Sequence, residues 1–429
     1  MKHLFNRLIT FLKILQSRIA FYPTLLALMG FLLAFIMMYL EKLGVSAYLV
    51  EHAPFLVVKN GNTALTILSA CITGLISMMV FSFSMVMVLL NQASTSYSPR
   101  LLPGLISDKN HQIILGTYIF TILYCIFIAV SVQPTGDEYQ VPGFPVLLGI
   151  LFTVICIWAF IYFIHNISQS IQINNILDRI YTTAKNKLEE LIKTEKESAP
   201  KFPDTSGWHE YMTEKSGYFQ NISATNLIDI CEKYETRLEI LPPKGIFILK
   251  GVPILKSKKK LEEKVVQEIF SNLIFSRGEL VSDNYALAFK QITEIIVKAM
   301  SPGINDPGTA LNGIDYLSEL FALRMQKRDM NVFVRNEKTF IKMSHVSFAE
   351  LIYNVLASIR TYCKHDVIIV QKLSVMIEHL QSCEAAEEKY YHSIEREARS
   401  LIEDAERNIE NKNDLQTVQR LSKKLNLSS

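Results

Sequence analysis

Four long apolar runs, at 22–40, 64–90, 113–132 and 145–164, fill the first part of this 429-residue chain. None of them carries an Asp, Glu, Lys or Arg. Each is about as long as the ~20 residues a helix needs to cross a ~30 Å hydrocarbon layer. In lipid the backbone must satisfy its own N–H and C=O groups, so such a run can cross only as a helix. Helices buried in soluble proteins rarely stay uncharged for so long. The expected architecture is an α-helical membrane protein with four transmembrane helices, followed by a large soluble part.

Charges flanking the runs predict the orientation. Lys2, Arg7, Lys13 and Arg18 precede the first run, Arg100 and Lys109 lie between the second and third, and Arg179, Lys185 and Lys187 follow the fourth. The other two loops carry Glu41, Lys42, Glu51 and Lys59, and then Asp137 and Glu138 with no basic residue. Positive charge near membrane ends marks the cytoplasmic side, so both termini are expected in the cytoplasm. The first run reads as a retained span, because its apolar core is too long for a signal peptide and no A-x-A site follows before Glu41. Segment 1–19 has Leu4, Leu8, Phe11, Leu12 and Leu15 at helical spacing among basic residues. It reads as an amphipathic cytoplasmic segment lying against membrane lipid.

The soluble part has balanced charge, and the whole chain carries only +3. This excludes the basic excess of a nucleic-acid binder. Cys71, Cys125 and Cys156 fall in the spans, while Cys231, Cys363 and Cys383 fall in the soluble part. No C-x-x-C pair occurs, and a reducing compartment argues against disulfides. No metal, cofactor or catalytic constellation is expected, since Walker-type loops, nucleotide fingerprints and H-E-x-x-H are all missing.

In the second run Thr66, Ala70 and Gly74 recur every four residues, with Ser69, Thr73 and Ser77 beside them. Small residues at this spacing let helices approach closely in lipid, whether within the bundle, at a subunit contact or along a narrow path. The run then continues into the polar stretch 91–100, where Pro99, between Ser98 and Arg100, ends the helix. Past the fourth run, His165, Gln169, Gln172, Asn174 and Asn175 make a second uncharged polar extension, and the helix is expected to run on to about Thr194. These ends either hold helices together or line a hydrated vestibule.

The chain divides in this reading into 20–180 (the membrane domain), 181–205 (a helical connector and linker) and 206–260 (a small β module). A helical domain at 261–383 and a charged helix or helix hairpin at 384–429 complete the α+β cytoplasmic part. Strand periodicity marks 216–222, 237–241, 245–250 and 251–255, with turns at Pro242-Pro243-Lys244-Gly245 and Lys250-Gly251. The stretch 245–255 resembles the turn of biotinyl/lipoyl-type barrel-sandwich domains, without an acceptor lysine in a tight hairpin. A barrel-sandwich-like structural module is expected rather than a prosthetic-group carrier. Beyond it the chain reads as helical apart from a short hairpin at 332–342. The turn at 301–307 stands out, with Pro302 and Gly303 fixing the backbone and Asn305, Asp306 and Pro307 opening a helix that runs to about Arg328. Asp306 is a good N-cap and Pro307 a good first residue.

Several strings carry a family resemblance: Ser82-Phe83-Ser84, Tyr97-Ser98-Pro99-Arg100-Leu101, Gly116-Thr117, Tyr162-Phe163-Ile164-His165 and Ile171-Gln172-Ile173-Asn174-Asn175-Ile176. Ser216-Gly217-Tyr218 and Ser301-Pro302-Gly303-Ile304-Asn305-Asp306-Pro307-Gly308-Thr309-Ala310 extend it over nearly the full length. On these the chain resembles an uncharacterised family of bacterial predicted membrane proteins, domain of unknown function 2254. Gly308 departs from the bulkier residue more usual there. The resemblance implies a multi-pass protein of the bacterial inner (plasma) membrane and supplies no activity. The expected function is non-enzymatic: a homo-oligomer with a channel or transport-related role. The alternative is a membrane-anchored scaffold or envelope-stress factor that binds a cytoplasmic protein partner.

Overall fold

The structure is a computed structural model that describes residues 21–43, 46, 58, 60–96, 109–132, 142–170, 172–195, 202–276, 284–329, 332–425 and 427. The amphipathic segment 1–19 and the positions Ser98, Pro99 and Arg100 lie outside the described residues. Internal contacts divide the chain into two units, Met1–Gln172 and Ile173–Ser429.

The first unit holds α1 (Phe21–Lys42), α2 (Gly61–Ser96), α3 (Lys109–Ser131) and α4 (Gly143–Ser170), all long and apolar enough to cross a membrane. Much of their outer surface is apolar, with Leu28, Phe35 and Trp158 exposed, as suits a lipid-facing surface. The most buried of the four is α3. It is reached closely by α1, because a Cβ at Gly30 would lie 2.4 Å from the Phe120 carbonyl oxygen and one at Gly116 would lie 2.6 Å from Leu26 Cδ1. Close backbone approach replaces the hydrophobic effect as the source of contact energy in lipid. Two buried clusters fill the bundle, one around Leu68, Tyr124 and Val146, the other around Leu75, Tyr118 and Phe163. Two buried polar side chains find carbonyls inside the bundle: the Tyr124 hydroxyl donates to the Pro145 carbonyl at 2.9 Å, and Thr121 Oγ1 lies 2.9 Å from the Thr117 carbonyl oxygen.

The expected continuous helix through the end of the fourth span is interrupted. Helix α4 stops at Ser170 and α5 (Ile173–Thr194) begins after a bend at Gln172. The Ser168–Asn175 stretch consists of Ser, Gln, Asn and Ile. Ser and Asn compete with the helix by hydrogen-bonding nearby backbone groups, and β-branched Ile loses side-chain freedom in a helix. Helix α2, by contrast, persists through its polar end to Ser96, giving ~54 Å of helix against a ~30 Å hydrocarbon layer.

The second unit is α+β. Its strands are β1 (His209–Met212), β2 (Gly217–Ile222), β3 (Leu238–Ile240), β4 (Phe247–Ile248), β5 (Pro253–Ser257), β6 (Leu273–Ser276), β7 (Val332–Arg335) and β8 (Lys338–Met343). They form a five-stranded sheet in the order β1-β5-β3-β8-β7 and a three-stranded sheet in the order β4-β2-β6. Among the described residues, only β3 and β8 pair in parallel, placing Leu238 against Ile341. Helices α6 (Ala224–Lys233) and α7 (Glu263–Phe270) add Leu227, Ile228 and Ile269 to the core between Phe219, Ile240, Leu255 and Ile341. Strand β6 falls in a stretch expected to be helical. It forms because β2 offers it an antiparallel partner, with Phe219 opposite Phe275 and Ile222 opposite Leu273, and that pairing overrides local preference.

The helical part comprises α8 (Tyr285–Ala299), α9 (Pro307–Met325), α10 (Phe348–Cys363), α11 (Val367–Ser382), α12 (Lys389–Asn408) and α13 (Lys412–Lys424). The charged C-terminal stretch is thus a helix hairpin. Starts are set by side chains: Asn284, Asp306, Ser347, Asp366 and Asn411 each accept a first-turn N–H, which satisfies donors that the helix cannot. Gly313 lets α9 press on α8, since a Cβ there would lie 2.6 Å from Ile296 Cγ1. Helix α5 runs along both. Asn312 Nδ2 donates to Asn174 Oδ1 at 3.2 Å, and the Tyr181 hydroxyl donates to Glu319.

Candidate functional site

The 301–307 turn resolves into a tightly bonded link between α8 and α9. The N–H groups of Ile304 and Asn305 donate to the Ser301 carbonyl, and that of Asp306 donates to the Ala299 carbonyl at 2.8 Å. The Asp306 carboxylate accepts the Thr309 N–H at 3.1 Å and the Thr309 hydroxyl at 2.5 Å. Asn305 sits at φ +49°, in the left-handed region that Asn tolerates better than most residues. Pro302, Gly303, Asn305, Asp306 and Pro307 are all exposed, and their hydrogen bonds are those of a helix start.

The polar residues that follow the fourth span fall in both units. His165 and Gln169 lie exposed on α4, and the N–H of Gln172 donates to the Gln169 carbonyl at 3.2 Å. Asn174 and Asn175 open α5 in the second unit, where Asn174 meets α9 through Asn312. The fold therefore brings Asn174 to the helix that Asp306 caps.

Helix α2 has two contrasting faces. Gly61, Ala64, Leu68, Leu75 and Ser82 are buried. The opposite side shows Thr66, Ser69, Ala70, Thr73, Gly74 and Ser77, all exposed. A Cβ at Gly74 would meet nothing within 4 Å. The Thr66 and Ser77 hydroxyls donate to their own helix, at the Asn62 and Thr73 carbonyls.

One group in the second unit was not anticipated. Arg324 is 0 % exposed and pairs with Asp329. Its Nη1 donates to the Lys327 carbonyl at 2.8 Å, and the Tyr390 hydroxyl donates to that same oxygen at 2.9 Å. Asp329 also accepts the Phe348 N–H, with His345 Nε2 at 3.7 Å and Lys389 Nζ at 3.6 Å. Burial opposes ionisation of Asp329, but the His345 bond, the Arg324 charge and the Phe348 N–H outweigh it and hold the carboxyl well below its usual range. A sequence signal exists: the buried stripe Leu317, Leu320, Phe321 continues at helical spacing onto Arg324.

Beside this group a cleft of about 530 Å³ opens between the β part and the ends of α5, α8 and α9. Lys187, Lys244, Lys327 and Arg328 line it, facing Glu190 and Glu195. Lys187 Nζ lies 2.8 Å from Glu190 Oε2, and Lys327 Nζ lies 3.5 Å from Glu195 Oε1. Lys244 Nζ donates to Asn221 Oδ1 at 2.6 Å. Burial pushes the Lys327 ammonium below its ordinary pKa, and Glu195 offsets this only in part. Among the described residues, no group of three or more His, Cys, Asp and Glu side chains is placed to hold a metal ion.

Comparison with known proteins agrees with the membrane reading. The family described as predicted membrane protein (DUF2254) matches residues 16–379. An uncharacterised protein of Mycobacterium bovis and one of Mycobacterium tuberculosis are each 21 % identical over 318 residues, which is 70 % of this chain and 60 % of the relative. The chain thus spans about three-fifths of the length of these relatives. No solved structure matches. The chain belongs to the DUF2254 family of predicted membrane proteins.

Proposed function

We propose that this chain is the subunit of a homo-oligomer in the bacterial inner membrane, with a transport-related rather than a catalytic role. In this reading both termini and the whole second unit face the cytoplasm. The basic residues before the first span and after the fourth support that orientation.

The carrying observation is the outward ridge of α2. Bulky apolar side chains cover the lipid-facing surface elsewhere, whereas Ser69, Ala70, Thr73, Gly74 and Ser77 present a flat, small, hydroxyl-bearing strip. Facing lipid, such a strip gives up the close helix packing that holds spans together. Facing the same strip on a second copy, it permits close backbone approach and places hydroxyls along a shared axis. That axis is where a small solute would pass.

The test is purified protein in lipid vesicles, read for subunit number and for flux under ion and osmotic gradients. Gly74→Leu fits the isolated subunit, since nothing lies near its Cβ, and is expected to dissociate the assembly and abolish flux. A monomer in the native membrane, with vesicles tight under every gradient, would overturn the reading.

A further inference from the structure

The cleft in the second unit has the chemistry of a phosphate site. Its four cations, Lys187, Lys244, Lys327 and Arg328, face two carboxylates, Glu190 and Glu195, so these six side chains carry two net positive charges. Both carboxylates already have partners. Glu190 is 62 % exposed and turned to Lys187 at the rim, and Glu195 is engaged by Lys327 and by the Arg328 N–H at 3.1 Å.

Two helices also begin at this cleft. Asn284, Tyr285 and Ala286 open the 15-residue α8 against it, and Ala224 opens the 10-residue α6. The Ser223 side chain makes no cap hydrogen bond to α6, and the first N–H groups of a helix have no partner within it. Helix starts carry partial positive charge and orient N–H donors outward, which suits an anion. Buried Lys327, 6 % exposed, sits where added negative charge would relieve its desolvation. The volume is in the range that holds a small metabolite.

We propose that this cleft binds a phosphoryl-bearing ligand, with Lys187, Lys244 and Lys327 contacting the phosphoryl oxygens and the α6 start donating N–H groups. The same chemistry is offered by a soluble phosphorylated metabolite and by an anionic lipid headgroup. The proposal stands independently of any subunit axis along α2.

Two arms on the full-length protein distinguish these sources. In detergent at fixed ionic strength, the chain is titrated with inorganic pyrophosphate by calorimetry. In nanodiscs, its thermal stability is compared between phosphatidylglycerol and phosphatidylcholine. Saturable pyrophosphate binding, weakened about tenfold by Lys244→Gln or Lys187→Gln, supports a soluble ligand; tenfold is the loss expected for one charge-assisted hydrogen bond. Stabilisation by phosphatidylglycerol alone, removed by the same variants, supports a headgroup. Both variants change solvent-accessible positions, and circular dichroism checks that they fold. No effect in either arm, or an effect that both variants leave unchanged, overturns the proposal.

Discussion

Arg324 and Asp329 form an ion pair from which water is excluded, their side chains 0 % and 6 % exposed. Removing one partner strands a charge in a low-dielectric interior, which costs about 3–5 kcal/mol, whereas replacing both with apolar residues is often neutral. Arg324→Met is therefore expected to lower the unfolding free energy of the purified chain by that order in urea denaturation. Arg324→Met with Asp329→Leu is expected to recover much of the loss. A single variant that melts like the parent, or a double variant no better than the single, would show that the pair does not hold the helices together.

The same pair predicts a pH dependence. Asp329 has its folded pKa below the ordinary 3.8, so the folded state binds fewer protons than the unfolded state as pH falls through that region. Its contribution is complete above about pH 5 and fades below pH 3.8, toward the lower folded value. Unfolding midpoints measured from pH 6 downward should fall, and Asp329→Asn should reduce the slope. An unchanged slope in Asp329→Asn would assign the acid sensitivity to other carboxylates.

The membrane half was legible because lipid leaves so few choices: an uncharged run of about 20 residues can cross only as a helix. The cap at Asp306 was legible for a similar local reason, with Pro307 and Thr309 beside it. The parallel pairing of β3 with β8 has no such local signal. It joins Leu238 to Ile341 across more than a hundred positions, and nothing in either strand names the other. Arg324 was missed because a charged residue suggests solvent, although the stripe of Leu317, Leu320 and Phe321 points inward at that position. The cleft was invisible for the same reason as the sheet. Lys187, Lys244 and Lys327 come from three separate stretches and meet only in the fold.

Two glycines of the spans separate folding from assembly. At Gly30 a Cβ would lie 2.4 Å from the Phe120 carbonyl oxygen, a backbone atom that cannot swing aside, so Gly30→Ala forces α1 away from α3. Overpacking of this kind costs about 1–3 kcal/mol, and the detergent-solubilised subunit should melt at a lower temperature. At Gly74 the space is open, so Gly74→Ala should leave the subunit's melting temperature unchanged while weakening self-association measured by crosslinking in membranes. Equal losses of subunit stability from both changes would contradict the outward placement of the α2 ridge.

Asp306 offers a test that separates a cap from a chemical group. Its Oδ1 accepts the Thr309 N–H and its Oδ2 the Thr309 hydroxyl. Asn caps helices about as well as Asp, while Ala forfeits the bond at a cost of about 0.5–2 kcal/mol. Asp306→Ala should therefore lower the melting temperature of the full chain measurably, and Asp306→Asn should stay close to the parent because its amide oxygen can still take the Thr309 N–H. The flux measurement completes the comparison. If Asp306→Asn melts like the parent and also conducts like it, the carboxylate serves the start of α9. If it melts like the parent but flux is lost, the negative charge itself matters, and the capping account of this turn fails.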